Sequence, residues 1–338
     1  MSQSRKYLIR LNLDLGITKS NLTYIHRGRN KYLSSYFMRS CASDYNYDFR
    51  GFVKFSFLSF FAHFCKSLIT SLEIKKNHAY IFEGGLHILV AFFLMIRFRK
   101  AIFILNIADS VLHQKNVFWF GKIKQKVKIF LIRRFNFILT NSPMIYDELK
   151  MLSHFKNPVY VYKLPIFHKK FTQIPDIRKN KTILFLITRP SETGNIKGLH
   201  IFRRIVKIFY KLDKTISFIV GGAGTECLKF NTPNVIVNGH FDTVDQAFKK
   251  AQLLLCPSIY DAYPCVSIEC LTKGVMPIVS SGCGSSSDLA LINENFVVIK
   301  QNNISEWVNK ILKVLNFSSS DMLRIKSEAV KLINGFVE

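Results

Sequence analysis

A chain of 338 residues that is 49% apolar is too long for one ordinary core and suits two domains of about 150 to 170 residues. Its net charge of +26 sits mainly in the first half, where 26 Lys and Arg face 8 Asp and Glu up to Pro165, a net +18 against +8 for the remainder; such a field recruits polyanions, whether nucleic acid, acidic lipid or phosphorylated substrates. Seven scattered cysteines without a C-x-x-C pair imply a reducing cytosol and no zinc site, the N-terminus has no signal-peptide layout, and no apolar run reaches the roughly 18 residues that a membrane span requires.

In chain order, Tyr7–Leu13 reads as a first strand, with a loop over Asp14–Thr18, and the rest of residues 1–50 carries little pattern. Residues 51–72 place Phe52, Phe55, Phe57, Phe60, Phe61 and Phe64 along a helix edged by lysines. Such a face serves either core packing or a membrane surface. Tyr80-Ile81-Phe82 is a short strand, Glu83-Gly84-Gly85 a tight turn and 86–98 a buried helix. The apolar strand Ala101–Ile107 then delivers Asp109 to its C-terminal end, where open α/β sheets place ligands. Lys122–Arg134 is a basic amphipathic helix, suited either to acidic headgroups or to a solvated surface. Strand Phe137–Thr140, a helix through 151 and a last strand within 158–166 follow, and the polar stretch 167–181, broken by Pro175, is a linker.

Beyond Lys181 the alternation is regular. Strands are predicted at about 182–189, 216–221, 234–238, 253–257, 276–280 and 295–299, with clearly periodic helices over 198–212 and 304–316 and a last helix from about 319. This order argues a parallel, doubly wound sheet.

The segment Pro257–Gly284 carries the chemistry. The buried strand Leu253–Cys256 breaks into a polar loop with Asp261, and a helix over 265–273 follows, with Pro264 in its first turn and Gly274 just past its end. No Ser, Thr, Asp or Asn immediately precedes Pro264 as a cap, so a bound anion would complete the helix N-terminus. Glu269 lies one turn inside, and two carboxylates beside an anion site suit neutral hydroxyls.

The spacing Asp261-x7-Glu269, between Pro257-Ser258 and Lys273-Gly274-Val275-Met276-Pro277, resembles the E-x7-E signature of glycosyltransferase family 4, with Asp261 in place of the first Glu. Arg189 at a strand end, followed by Lys197-Gly198, resembles that family's strand-Arg…Lys-Gly element, and Val220-Gly221-Gly222-Ala223-Gly224 resembles its V-G-x-G turn. The resemblance implies the GT-B fold, an α/β architecture of two Rossmann-like doubly wound domains facing a central cleft. Residues 1–166 would form the acceptor domain, 167–181 the linker and 182–318 the nucleotide-sugar domain, with a helix over 319–338 packing back towards the first domain. It implies that Arg189 and Lys197 hold the donor diphosphate, that Glu269 binds the ribose, and that Gly222, Cys265 and Val266 approach the donor through their backbone. It also implies catalytic positions at Asp261, facing the donor sugar, and at Asp109, orienting the acceptor. Ala108 stands where the family has His, which leaves His113 as the nearest replacement imidazole.

The activity so implied is retaining transfer of a hexosyl group from a nucleotide-sugar to a lipid-linked saccharide in bacterial surface polysaccharide synthesis, such as lipopolysaccharide O-antigen. The enzyme would be peripheral on the inner face of the cytoplasmic membrane, held there by its basic first domain. Departure of a nucleoside diphosphate builds charge on a phosphate oxygen that cations or dipoles must meet. The chain contains no D-x-D, so no metal or other cofactor is expected and Arg189, Lys197 and the helix N-terminus would meet that charge. Two other readings stand beside this one: a basic nucleic-acid-binding protein, for which no recognition motif is present, and a catalytically silent scaffold of the same fold, suggested by Ala108.

Overall fold

The computed structural model describes residues 19–26, 43–46, 57–83, 87–107, 126, 129–152, 156–161 and 181–337. Two packing units are distinguished, Met1–Pro165 and Ile166–Val337.

In the first unit the strands are β1 (Leu22–His26), β2 (Ser43–Asn46), β3 (Ala79–Glu83), β4 (Ile102–Ile107), β5 (Phe137–Thr140) and β6 (Val159–Val161). They form one parallel sheet in the order β2-β1-β3-β4-β5-β6. Aromatic side chains fill its core. The buried ring of Tyr80 stacks on Phe103 at 5.4 Å and on Phe98 at 5.9 Å, and its hydroxyl donates to the Lys75 carbonyl at 3.0 Å, so a polar atom is brought inside without losing its partner. The strand expected at residues 7–13, the Gly84-Gly85 turn and the linker over 167–180 lie outside the described residues. Of the basic helix expected over Lys122–Arg134, residues 126 and 129–132 are described and are helical. The strands β1 and β2 arise from the part of the sequence that carried little pattern.

The helix Phe57–Glu73 packs against the helix His87–Arg97. From Phe64 onward the face it buries is built of small polar residues, Ser67 and Ser71, while Phe64, Leu68, Ile69 and Leu72 stay exposed. Phe64 meets Phe93 edge to face, with ring centroids 5.0 Å apart. Core packing therefore does not account for the apolar residues of this half of the helix.

The second unit contains β7 (Thr182–Leu186), β8 (Ser217–Gly221), β9 (Val235–Gly239), β10 (Leu253–Cys256), β11 (Met276–Ser280) and β12 (Val297–Val298). They too form a wholly parallel sheet, in the order β12-β11-β10-β7-β8-β9. Counted within this unit the order is 3-2-1-4-5-6, which is doubly wound with its reversal between β7 and β10. The central strands β10 and β11 are buried at every residue, as strands covered by helices on both faces must be.

One helical expectation is refined. The helix predicted over 265–273 is α-helical only at Val266–Glu269 and tightens to a 3-10 turn at Cys270–Lys273. Thr272 Oγ1 donates to the Glu269 carbonyl at 2.7 Å and Gly274, in the left-handed conformation, closes the end with a bond from Val275 N–H to the Cys270 carbonyl. The last helix, Ser319–Val337, groups with the second unit, where Ile325 and Ala329 line a recess with Leu271, Val275 and Met276.

Candidate functional site

In an open parallel sheet the loops leaving the strands on either side of the reversal part from each other and create a crevice. Here those loops follow β7 and β10, and the sequence sends the Arg189…Lys197 segment down one and the Asp261…Glu269 segment down the other. They touch at Gly198 (φ +72°), where an added Cβ would lie 1.8 Å from the Pro257 carbonyl oxygen. The Ile259 N–H donates to the Ile196 carbonyl at 2.7 Å beside it. Only glycine permits this approach.

Lys197 emerges one residue before that contact, and its Nζ lies 2.5 Å from Asp261 Oδ2. The two side chains are 36% and 18% exposed, so the pair sits at the mouth of the crevice. Burial works against the ammonium charge, but the Asp261 carboxylate outweighs it and holds Lys197 above its ordinary value. Asp261 is fixed through its backbone: its N–H donates to the Gly282 carbonyl and its carbonyl accepts from Gly284 N–H, both at 2.9 Å.

Cys265 and Val266 begin the helix that follows. Their N–H groups donate to no described acceptor, as expected for a first helical turn. The Cys265 thiol is pushed up to about 12 by burial, then by the carboxylates of Glu269 and Asp261. Both acids thus bear on the helix tip. Burial also raises Cys283 to about 12, with Asp261 the next cause.

Arg189 occupies the end of the loop after β7 with φ +51°, a conformation that costs a non-glycine residue about 1 kcal/mol or more and is concentrated at functional sites. Its N–H donates to the Ala223 carbonyl at 2.8 Å, which ties it to the glycine-rich turn after β8. Gly222 (φ +126°) makes that turn possible, since a Cβ there would lie 2.1 Å from the Ile187 carbonyl oxygen. The Arg189 side chain projects to the surface, where its guanidinium pairs with Glu192 at 3.0 Å.

Lys197, Asp261, Cys265, Val266 and Glu269 are therefore gathered at one place, and Arg189 and Gly222 are joined to each other on the neighbouring loop. Asp109 and His113 lie outside the described residues. Several supporting residues carry no sequence signal of their own. The Tyr263 hydroxyl donates to Asp288 Oδ2 at 2.7 Å inside the protein, and burial and then Asp288 raise that phenol well above its usual value. Ser267 and Ser285 join hydroxyl to hydroxyl at 2.8 Å, and Ser280 Oγ donates to the Ser258 carbonyl. These bonds fasten residues 258–267 to residues 280–288, from the end of β11 to the helix Ser286–Ile292.

Two parallel α/β units, the second with its strand reversal at a loop crevice holding a lysine, two acids and a helix tip, define the GT-B class of fold. Comparison with known proteins points the same way. Residues 180–316 match the family described as Glycosyl transferases group 1. The chain resembles S. aureus TarM in complex with fondaparinux, alpha-GlcNAc-glycerol and UDP (17% identity, TM-score 0.61, 80% of this chain and 55% of that one). It also resembles the E. coli trehalose-6-phosphate structure bound with UDP-2-fluoro glucose (9%, 0.67, 93% and 95%) and a UDP-forming trehalose-phosphate synthase from Burkholderia xenovorans (8%, 0.64, 94% and 94%). The chain spans about half the length of the TarM chains it matches. No curated protein sequence matches it.

Proposed function

We propose that this protein is a retaining, metal-independent hexosyltransferase of glycosyltransferase family 4, moving a sugar from a nucleotide-sugar to a lipid-linked saccharide acceptor during bacterial surface polysaccharide synthesis. The observation that carries the reading is the Lys197–Asp261 pair at 2.5 Å beside the uncapped N–H groups of Cys265 and Val266. A cation and a helix tip suit the leaving diphosphate, and an acid beside them suits a sugar hydroxyl.

The residues divide the work by chemistry. Lys197, Arg189 and the helix N–H groups meet the charge that grows on the leaving phosphate oxygen. Asp261 orients the donor sugar, Glu269 accepts from the ribose hydroxyls, and the turn at Gly222 lets the nucleotide approach the backbone. Asp109 and His113 are assigned to the acceptor side. The exposed Phe64, Leu68, Ile69 and Leu72, with Lys66 on the same helix, support a peripheral position on the inner face of the cytoplasmic membrane. Among the described residues no helix is long and apolar enough to cross it.

UDP is the first nucleotide to try, because it is named in the structures of the relatives. Calorimetric titration of the full chain with UDP is expected to give saturable binding that weakens about tenfold or more in Arg189→Ala and in Glu269→Ala, the loss of a charged hydrogen bond. A panel of nucleotide-sugars scored by thermal stabilisation then identifies the donor, a ligand at a hundred times its Kd adding about 2.7 kcal/mol. Failure of the parent protein to bind any nucleoside diphosphate refutes the reading.

A further inference from the structure

The helix Leu199–Leu212 has a second face that the donor site does not use. Ile201, Phe202, Ile205, Val206 and Phe209 are buried, while Arg203, Arg204, Lys207 and Lys211 are exposed on the opposite side. The helix LHIFRRIVKIFYKL contains no acidic residue. Asp213, just past its end, is occupied by Lys181 at 3.2 Å and by Thr215. No described carboxylate pairs with any of the four cations.

Along one edge of this ridge two aliphatic side chains are left in solvent, Ile208 at 39% and Leu212 at 56% exposed. They are one turn apart on one flank, with Arg204 and Lys211 beside them. Exposed lysines and arginines alone suit any polyanion. Aliphatic side chains among them gain nothing from a solvated phosphate polymer, whereas at a bilayer surface they leave water while the cations stay with the headgroups.

We propose that the outward face of this helix docks the second unit onto an anionic lipid surface, Arg203, Arg204, Lys207 and Lys211 meeting the headgroups and Ile208 and Leu212 entering the acyl boundary. This surface lies in the other unit from the apolar residues invoked for membrane association above, and it is independent of the donor site.

The test is co-sedimentation of the full chain with phosphatidylcholine vesicles containing or lacking phosphatidylglycerol. The triple variant Arg203→Gln, Lys207→Gln, Lys211→Gln is expected to partition onto the anionic vesicles about a hundredfold less than the parent, at about fivefold per cation near the surface. Ile208→Ser with Leu212→Ser is expected to weaken partitioning while leaving its salt dependence unchanged. All five positions are solvent-exposed, and an unchanged melting temperature verifies that each variant is folded. Partitioning of the triple variant equal to the parent's overturns the proposal, since other surfaces then suffice. So does a serine variant that binds like the parent, which makes the face a purely electrostatic one. A triple variant that keeps its lipid binding but loses retention on immobilised duplex DNA also overturns it, in favour of a nucleic acid.

Discussion

Lys197 and Asp261 neutralise each other at 2.5 Å, so the cation proposed to meet the donor phosphate is paired with an acid in this structure. The two residues then play opposite parts in binding. Lys197→Ala removes a charged donor and is expected to weaken UDP about tenfold or more. Asp261→Asn frees the ammonium for phosphate and is expected to leave UDP affinity at or above the parent's, while sugar transfer falls by at least tenfold because the sugar loses its acid. Titration with UDP and turnover with the identified donor measure the two effects separately. An Asp261→Asn protein that loses UDP as fully as Lys197→Ala contradicts this division. The one-methylene difference between Asp and Glu at this position was legible in the sequence, but its engagement with Lys197 was not. The partners are 64 residues apart, and only the contact of two loops at Gly198 brings them together.

At the scale of elements, the loop 257–265 and the helix turn after it are held by groups from the end of β11 to the helix Ser286–Ile292. The buried Tyr263–Asp288 bond at 2.7 Å is the side-chain link best suited to a test, because Tyr263→Phe removes one oxygen and keeps the packing. Depriving a buried carboxylate of this donor costs about 1–3 kcal/mol. In a unit of this size that lowers the melting temperature by about 2–4 °C per kcal/mol. Loss of UDP affinity is expected to accompany it, since Asp261 and the helix tip ride on the same loop. Calorimetry and thermal unfolding of the one variant verify both, and unchanged values in each would show that the backbone bridge to Gly282 and Gly284 suffices. The sequence displayed Tyr263 and Asp288 plainly but supplied no reason to pair them. The elements themselves were far more legible. The strands β7 to β11 fall within three residues of their predicted limits because β7, β8, β10 and β11 are largely buried apolar runs, and the half-exposed edge strand β9 is bounded by the turn at Gly239. The first-unit strands β1 and β2 were missed because LTYIH and SDYN are short and mixed in polarity, and their pairing comes from neighbours in the sheet.

For the molecule as a whole, burial of thiols around the site sets a response to alkali. Cys265 and Cys283 are raised from an ordinary 9.0 to about 12, and Cys256 and Cys270 are also raised by burial. The folded state therefore keeps protons that the unfolded chain releases, and stability falls as pH rises from 9.0 towards 12. Each such thiol contributes a slope of about 1.4 kcal/mol per pH unit in that window. Lys197 acts in the same direction: its folded value is raised above 10.5, so its contribution is complete below 10.5 and is lost as pH climbs through the folded value. Denaturation midpoints measured under reducing conditions are expected to be steady from pH 7 to 8.5 and to drop steeply by pH 10.5, less so in Cys283→Ala. A midpoint flat across that range would show that the thiols titrate normally.

Length and the regular alternation after Lys181 determined, from the sequence by itself, two α/β units, and the framed Asp261-x7-Glu269 spacing marked the segment on which the proposed chemistry rests. These are properties of local periodicity and of turn residues, which a sequence displays directly. Tertiary structure alone decided that Lys197 pairs with Asp261, that Arg189 turns outward to Glu192, that Phe64, Leu68, Ile69 and Leu72 face solvent, and which hydroxyls hold residues 258–267. The physical reason is the same in each case. A contact between residues tens of positions apart depends on which strands become neighbours and where their loops part, and no window of sequence contains that distance.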